Sequence, residues 1–124
     1  MEIISTKEAP EPVGAYSQAV IAGDFMYVSG QIPLDLEGNL EKGDITLQTR
    51  KVLENIKAIL KAKNLGFENV VKFEIYLDDI NNFKKVDEVY SGIMRKNKPA
   101  RQAMEVAKLP KGAGIEISCI AYIF

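Results

Sequence analysis

Arg101 follows Pro99-Ala100, at a point where the apolar pattern passes from helical to strand spacing. An arginine offers a planar fork of N–H donors that matches a carboxylate bidentately, so this residue could hold a small anionic ligand. Taken alone it reads more plainly as an exposed cation at a strand start, or as half of a surface ion pair. Tyr16 and Ser17 follow Gly14-Ala15 in a stretch rich in chain breakers, and Ser29-Gly30-Gln31 ends an apolar run. Hydroxyls and backbone N–H groups at strand ends beside glycines can line a polar pocket. The same hydroxyls can instead satisfy the backbone groups of a turn.

The chain contains no histidine. That removes Ser-His-Asp and Cys-His nucleophilic catalysis, His-based zinc sites and imidazole as general base. Chemistry must then rest on arginine, carboxylates, hydroxyls, backbone groups and water. The single cysteine, Cys119, alternates with isoleucines and reads as a buried, inert thiol. Asp78-Asp79 with Asn81-Asn82 lacks the glycine and terminal glutamate of a calcium loop, and reads as helix capping before Phe83.

The elements that must position these residues follow from periodicity. Ala19–Ala22 and Phe25–Ser29, joined at Gly23-Asp24, read as a β-hairpin. Val52, Leu53, Ile56, Ile59 and Leu60 form one apolar stripe, so a helix is expected over about Leu47–Lys63, with Asp44 as N-cap and Asn64 or Gly66 as the left-handed terminator. Val71, Phe73, Ile75 and Leu77 alternate with Lys72, Glu74 and Tyr76 as a strand. A second helix is expected over about Asn82–Arg95, broken by Asn97-Lys98-Pro99. Strands over about Ala100–Lys108 and Ile115–Ile123 close the chain. The order β-β-α-β-α-β-β implies an α+β layer with two helices on one sheet face. In the last strand Glu116, Ser118, Ile120, Tyr122 and Phe124 share the face the helices leave open, and an open apolar sheet face implies self-association.

A length of 124 residues fits one domain, residues 1–124, that buries about two thirds of its unfolded surface. The formal net charge of -1 and the absence of a Lys/Arg block give no footprint for nucleic acid or an anionic membrane. No apolar stretch approaches the ~18 residues of a membrane span, and one cysteine permits no internal disulfide, so a reducing cytoplasm is the expected compartment.

The segments Gly14-Ala15-Tyr16-Ser17-Gln18-Ala19, Val28-Ser29-Gly30-Gln31-Ile32-Pro33, Val52-Leu53-Glu54-Asn55-Ile56-Lys57, Pro99-Ala100-Arg101, and Glu105-Val106-Ala107-Lys108-Leu109-Pro110 followed by Ile115-Glu116-Ile117 together resemble the RidA (YjgF/UK114) family, in its order and over nearly the whole chain. The resemblance implies a chorismate-mutase-like α+β fold, a homotrimer around a central barrel, and three sites in the clefts between subunits. It implies hydrolysis of reactive 2-imino acids, such as 2-iminobutanoate and 2-iminopropanoate, to 2-oxo acids and ammonia without a cofactor.

By this resemblance Arg101 holds the substrate carboxylate, Tyr16 and Ser29 line the pocket, Gly30 admits close backbone approach, and backbone groups near Ala103 orient the attacking water. The resemblance also sets a glutamate at the position of Ser118, a cysteine at Ala103 and an asparagine at Asp87, and this chain departs at all three. Ser118 therefore replaces the carboxylate expected to activate the water, and Asp87 adds a negative charge beside the site. Glu116 lies about 7 Å along the same strand face from Ser118, at ~3.4 Å per residue. The alternative to catalysis is a relative that binds a 2-oxo acid or other small carboxylate through Arg101 without turning it over.

Overall fold

The computed structural model describes residues 1–124. Six strands form one mixed sheet: β1 (Glu2–Ile4), β2 (Ala19–Ala22), β3 (Phe25–Gln31), β4 (Val70–Leu77), β5 (Ala100–Glu105) and β6 (Ile115–Tyr122), in the spatial order β1-β2-β3-β6-β4-β5. All neighbours are antiparallel except β4 and β5, which run parallel. A parallel pair needs a crossover, supplied by helix α2 (Phe83–Met94). Helix α1 (Ile45–Lys61) fills the long connection between β3 and β4.

Local chemistry sets the ends of these elements. Gly23 adopts a φ of 61°, the left-handed conformation that a two-residue hairpin turn between Ala22 and Phe25 requires. The Asp44 side chain accepts a hydrogen bond from the Leu47 N–H and caps α1, which therefore starts two residues earlier than the apolar stripe implies. Asn64, at φ 59°, turns the chain away after α1, and Arg95, at φ 54°, does so after α2. Asp79 accepts from the Asn81 N–H at 2.9 Å and caps the short 3-10 turn Ile80–Asn82 that leads into α2, whose own N-cap, Asn82, makes no side-chain bond.

The helices cover one face of the sheet. Val52, Leu53, Ile56, Ile59 and Leu60 of α1 and Val86, Val89, Tyr90 and Met94 of α2 pack on Met26, Val28, Phe73, Ile75, Leu77, Ile115, Ile117, Cys119 and Ala121. Burial pushes the Cys119 thiol up to about 12, which keeps it protonated and inert. The opposite face presents Phe25, Tyr27 and Tyr122, with Phe25 and Tyr122 rings 5.4 Å apart. No helix is long and apolar enough to cross a membrane.

Three details depart from the periodicity. β1 is an additional, three-residue edge strand, too short to leave a pattern. In β4 the core residue is Val70 and not Val71, because a register shift between Val70 and Lys72 turns Val71 outward. β5 ends at Glu105, short of Lys108, because its partner β4 stops at Leu77; the Val106 N–H makes the last contact, 2.8 Å from the Leu77 carbonyl.

Candidate functional site

Residues Phe83, Asp87 and Tyr90 stand at i, i+4 and i+7 on α2, on one helical face. Arg101, on the edge strand β5, pairs in register with Phe73, which points into the core beneath the helices. Its side chain consequently lies across that α2 face. The guanidinium carbon sits 5.1 Å from the Phe83 ring centroid and 4.8 Å from that of Tyr90. Nη1 donates to Asp87 Oδ1 at 2.6 Å. Two aromatic faces and one carboxylate thus fix a cation whose remaining N–H donors have no partner in the chain. Tyr90 is itself held edge-on against Phe73 at 5.4 Å, and its buried hydroxyl has no hydrogen-bond partner. Burial raises the Tyr90 phenol above its ordinary range, against the opposing pull of the Arg101 charge. Asp87, Tyr90 and Arg101 line a cleft of about 390 Å³ with Arg95, Asn97, Lys98 and Pro99.

A second cleft, of about 380 Å³, opens where β3 meets the N-terminal loop. Its outer wall is Pro10–Val13. Prolines leave few backbone donors to hold such a segment, so the buried Gln18 amide does it: Nε2 donates to the carbonyls of Thr6, Ala9 and Pro10 at 3.0, 3.3 and 2.9 Å, and Oε1 accepts from the Thr6 N–H at 2.7 Å. The Tyr16 hydroxyl accepts from the Val13 N–H at 3.3 Å. The Ser29 hydroxyl donates to the Ser17 carbonyl at 2.6 Å, and Ser29 lines the cleft.

Besides Glu11 on the outer wall, the carboxylate that lines this cleft is Glu116. It belongs to none of the chain's four ion pairs, Lys51–Glu54, Lys63–Glu2, Lys72–Glu74 and Arg101–Asp87. Partial burial alone raises its pKa above the ordinary carboxylate value. Gly30 makes room for it. A Cβ at position 30 would collide with Glu116 Oε2 and come within 2.9 Å of its Cδ. A half-buried carboxylate of raised pKa, without an internal cation, beside two hydroxyls, is equipped to take a proton from water and return it.

Of the residues singled out from sequence, Tyr16, Ser29 and Gly30 share the Glu116 cleft, and Arg101 and Asp87 share the other. Ala103 and Ser118 line neither. Ala103 is half-buried in β5 opposite Ile75, and Ser118 is half-buried in β6 opposite Glu74. Glu116, two positions before Ser118 on the same face of β6, is the residue of that strand whose carboxylate lines the cleft. Sequence reasoning put Glu116 on the right face. It missed the partnership with Gly30, which depends on the β3–β6 register and its irregularity between Val28 and Gln31. It also missed Gln18, Phe83 and Tyr90 as the parts that hold the two clefts in shape.

The clefts are apart in one chain. Tyr76 pairs with both Glu116 and Met104, so Arg101 lies two strands and three residues from Glu116. At sheet spacings that is roughly 14 Å between Cα atoms, with the two side chains on opposite faces.

A protein-family model described as Endoribonuclease L-PSP matches residues 6–123. A RutC family protein of Pyrococcus horikoshii is 52% identical over 122 residues, 98% of this chain and 97% of that one. The 2-iminobutanoate/2-iminopropanoate deaminase of Rattus norvegicus is 47% identical over 121 residues, 97% of this chain and 88% of the relative. Among solved structures, RidA from an Antarctic Psychrobacter superposes with a TM-score of 0.95 at 43% identity, covering 99% of this chain and 100% of that one. E. coli TdcF with bound serine does so with a TM-score of 0.95 at 35% identity, covering 100% of both. The fold, the spacing of the motifs and these likenesses agree: the chain belongs to the RidA (YjgF/UK114) family.

Proposed function

We propose that the protein hydrolyses reactive 2-imino acids, of the 2-iminobutanoate and 2-iminopropanoate type, to 2-oxo acids and ammonia, without a cofactor. The observation that carries the reading is Glu116: a half-buried carboxylate with no internal cation, its pKa raised by burial, in a cleft with Tyr16 and Ser29. The deaminase named among its mammalian relatives supplies the reaction class. Arg101 supplies the complementary need, a fixed fork for the substrate carboxylate.

The chemistry demands little of the protein. The carbon of a protonated imine is already electrophilic. Glu116 takes a proton from water as the oxygen adds to that carbon and returns it to the nitrogen; the C–N bond then breaks as the carbonyl forms, Glu116 takes the remaining hydroxyl proton, and that proton leaves with ammonia as ammonium. Orientation by Arg101 and the hydroxyl-lined wall supplies most of the remaining advantage over bulk water.

A ligand of four carbons cannot span roughly 14 Å, so Arg101 and Glu116 serve one substrate only if they come from different copies of the chain. This reading therefore includes a closed homotrimer. Each site would join the Arg101 cleft of one subunit to the Glu116 cleft of the next, and the aromatic sheet face around Phe25, Tyr27 and Tyr122 would be covered in the assembly.

The test couples a threonine dehydratase to the protein and follows decay of the released imine. Wild type is expected to accelerate decay well above the uncatalysed rate. Arg101→Ala is expected to abolish the acceleration, with a loss of about 2–5 kcal/mol in carboxylate recognition, and Arg101→Lys to restore little, since a point charge does not reproduce the fork. Decay at the uncatalysed rate with folded wild type would leave carboxylate binding without turnover.

A further inference from the structure

Asp87 is the one group that competes for Arg101 inside the chain. Its Oδ1 takes the Nη1 donor at 2.6 Å, while its Oδ2 has no partner. The pair is only partly shielded, with side-chain exposures of 28% for Arg101 and 42% for Asp87, so both charges are open to a ligand. The two have opposite consequences for what binds. Arg101 attracts any carboxylate. Asp87 repels a ligand that is only an anion, and attracts one that carries a positive nitrogen next to its carboxylate.

We propose that Asp87 is a specificity-determining residue that makes the Arg101 site select zwitterionic ligands, with a cationic nitrogen on the carbon next to the carboxylate, over plain 2-oxo acids. The inference rests on the proposed carboxylate site at Arg101. A carboxylate on the free edge of the guanidinium sets its α-substituent roughly 5–7 Å from the Asp87 carboxylate, by ordinary hydrogen-bond lengths. At that range, in partly exposed surroundings, one charge changes affinity by about tenfold. The protonated imine R–C(=NH2+)–COO− has the favoured charge pattern. Hydrolysis with one water gives R–CO–COO− and NH4+, and the 2-oxo acid has lost the cationic nitrogen. Asp87 thus favours substrate over product at one site, and stabilises the iminium form whose carbon water attacks. The contact with Nη1 also holds the guanidinium in place, a separate role that an uncharged acceptor can fill.

The experiment compares two ligands of one carbon skeleton, 2-aminobutanoate and 2-oxobutanoate, by calorimetric titration at pH 7. The proteins are wild type, Asp87→Asn, Asp87→Glu and Arg101→Ala. Asp87→Asn keeps an acceptor for Nη1 and removes the charge. It is expected to shift the affinity ratio about tenfold toward 2-oxobutanoate, an effect that shrinks with added salt. Asp87→Glu is expected to keep the wild-type preference. If Arg101→Ala abolishes binding of both ligands while Asp87→Asn leaves their ratio unchanged, the inference is overturned and the carboxylate site stands. If neither ligand binds wild type, or Arg101→Ala alters neither, the carboxylate site falls and the inference with it.

Discussion

In the proposed reaction Glu116 carries the proton chemistry, and its environment sets its pH behaviour. Burial raises its folded-state pKa, so the native state binds that proton more tightly than the unfolded chain does. The stabilising contribution is present below the unfolded pKa and is lost as pH rises through the folded one. At neutral pH the ionised Glu116 therefore weighs against folding. Replacing it with an uncharged isostere is expected to raise Tm at pH 7 while removing the base. Glu116→Gln should lower imine turnover by about 10²–10⁴-fold. The acid limb of the wild-type rate profile should lie above the ordinary carboxylate range, because the base works only when ionised. Ser118→Ala, next on the same face but outside both clefts, is expected to leave turnover within about twofold of wild type. Tm and pH–rate profiles of the three proteins check this. A large loss in Ser118→Ala with little loss in Glu116→Gln would reverse the two roles.

At the scale of elements, the Glu116 cleft depends on β3 and β6 meeting with no side chain between Gly30 and the carboxylate. Gly30 needs no left-handed backbone; it needs space. Gly30→Ala is expected to fold, since the atom in the way is the movable end of Glu116, and to lose about tenfold or more in turnover as that end swings out of place. Far-ultraviolet circular dichroism and the imine assay together separate displacement from unfolding. Both helices, the hairpin and the alternation of β6 were legible in the sequence, because each rests on local periodicity or a cap: Asp44, Gly23 and the Ile115–Ala121 core face. The three-residue β1 and the outward turn of Val71 were not, since one is too short for a pattern and the other comes from pairing with a distant strand. The candidate site divides the same way. Tyr16, Ser29, Gly30 and Arg101 were found from residue type beside breakers and from family motifs. The Gly30–Glu116 contact and the Phe83-Asp87-Tyr90 row under Arg101 are products of register and helix packing across 86 and 14 residues of chain, respectively for Gly30–Glu116 and for Asp87–Arg101.

At the scale of the molecule, the two clefts that one chain keeps apart must come together for the proposed reaction. Two variants, Arg101→Ala and Glu116→Gln, each lack one half of the site and are expected to be inactive alone. Unfolded and refolded as an equal mixture, they form cyclic trimers in which about one interface in four joins an intact Arg101 to an intact Glu116. The most direct measurement is the imine-decay rate of that mixture, with mixed trimers verified by native mass spectrometry. Recovery of roughly a quarter of the wild-type rate per chain is expected. A mixture of verified hetero-trimers as inactive as either variant alone would contradict a site shared between subunits.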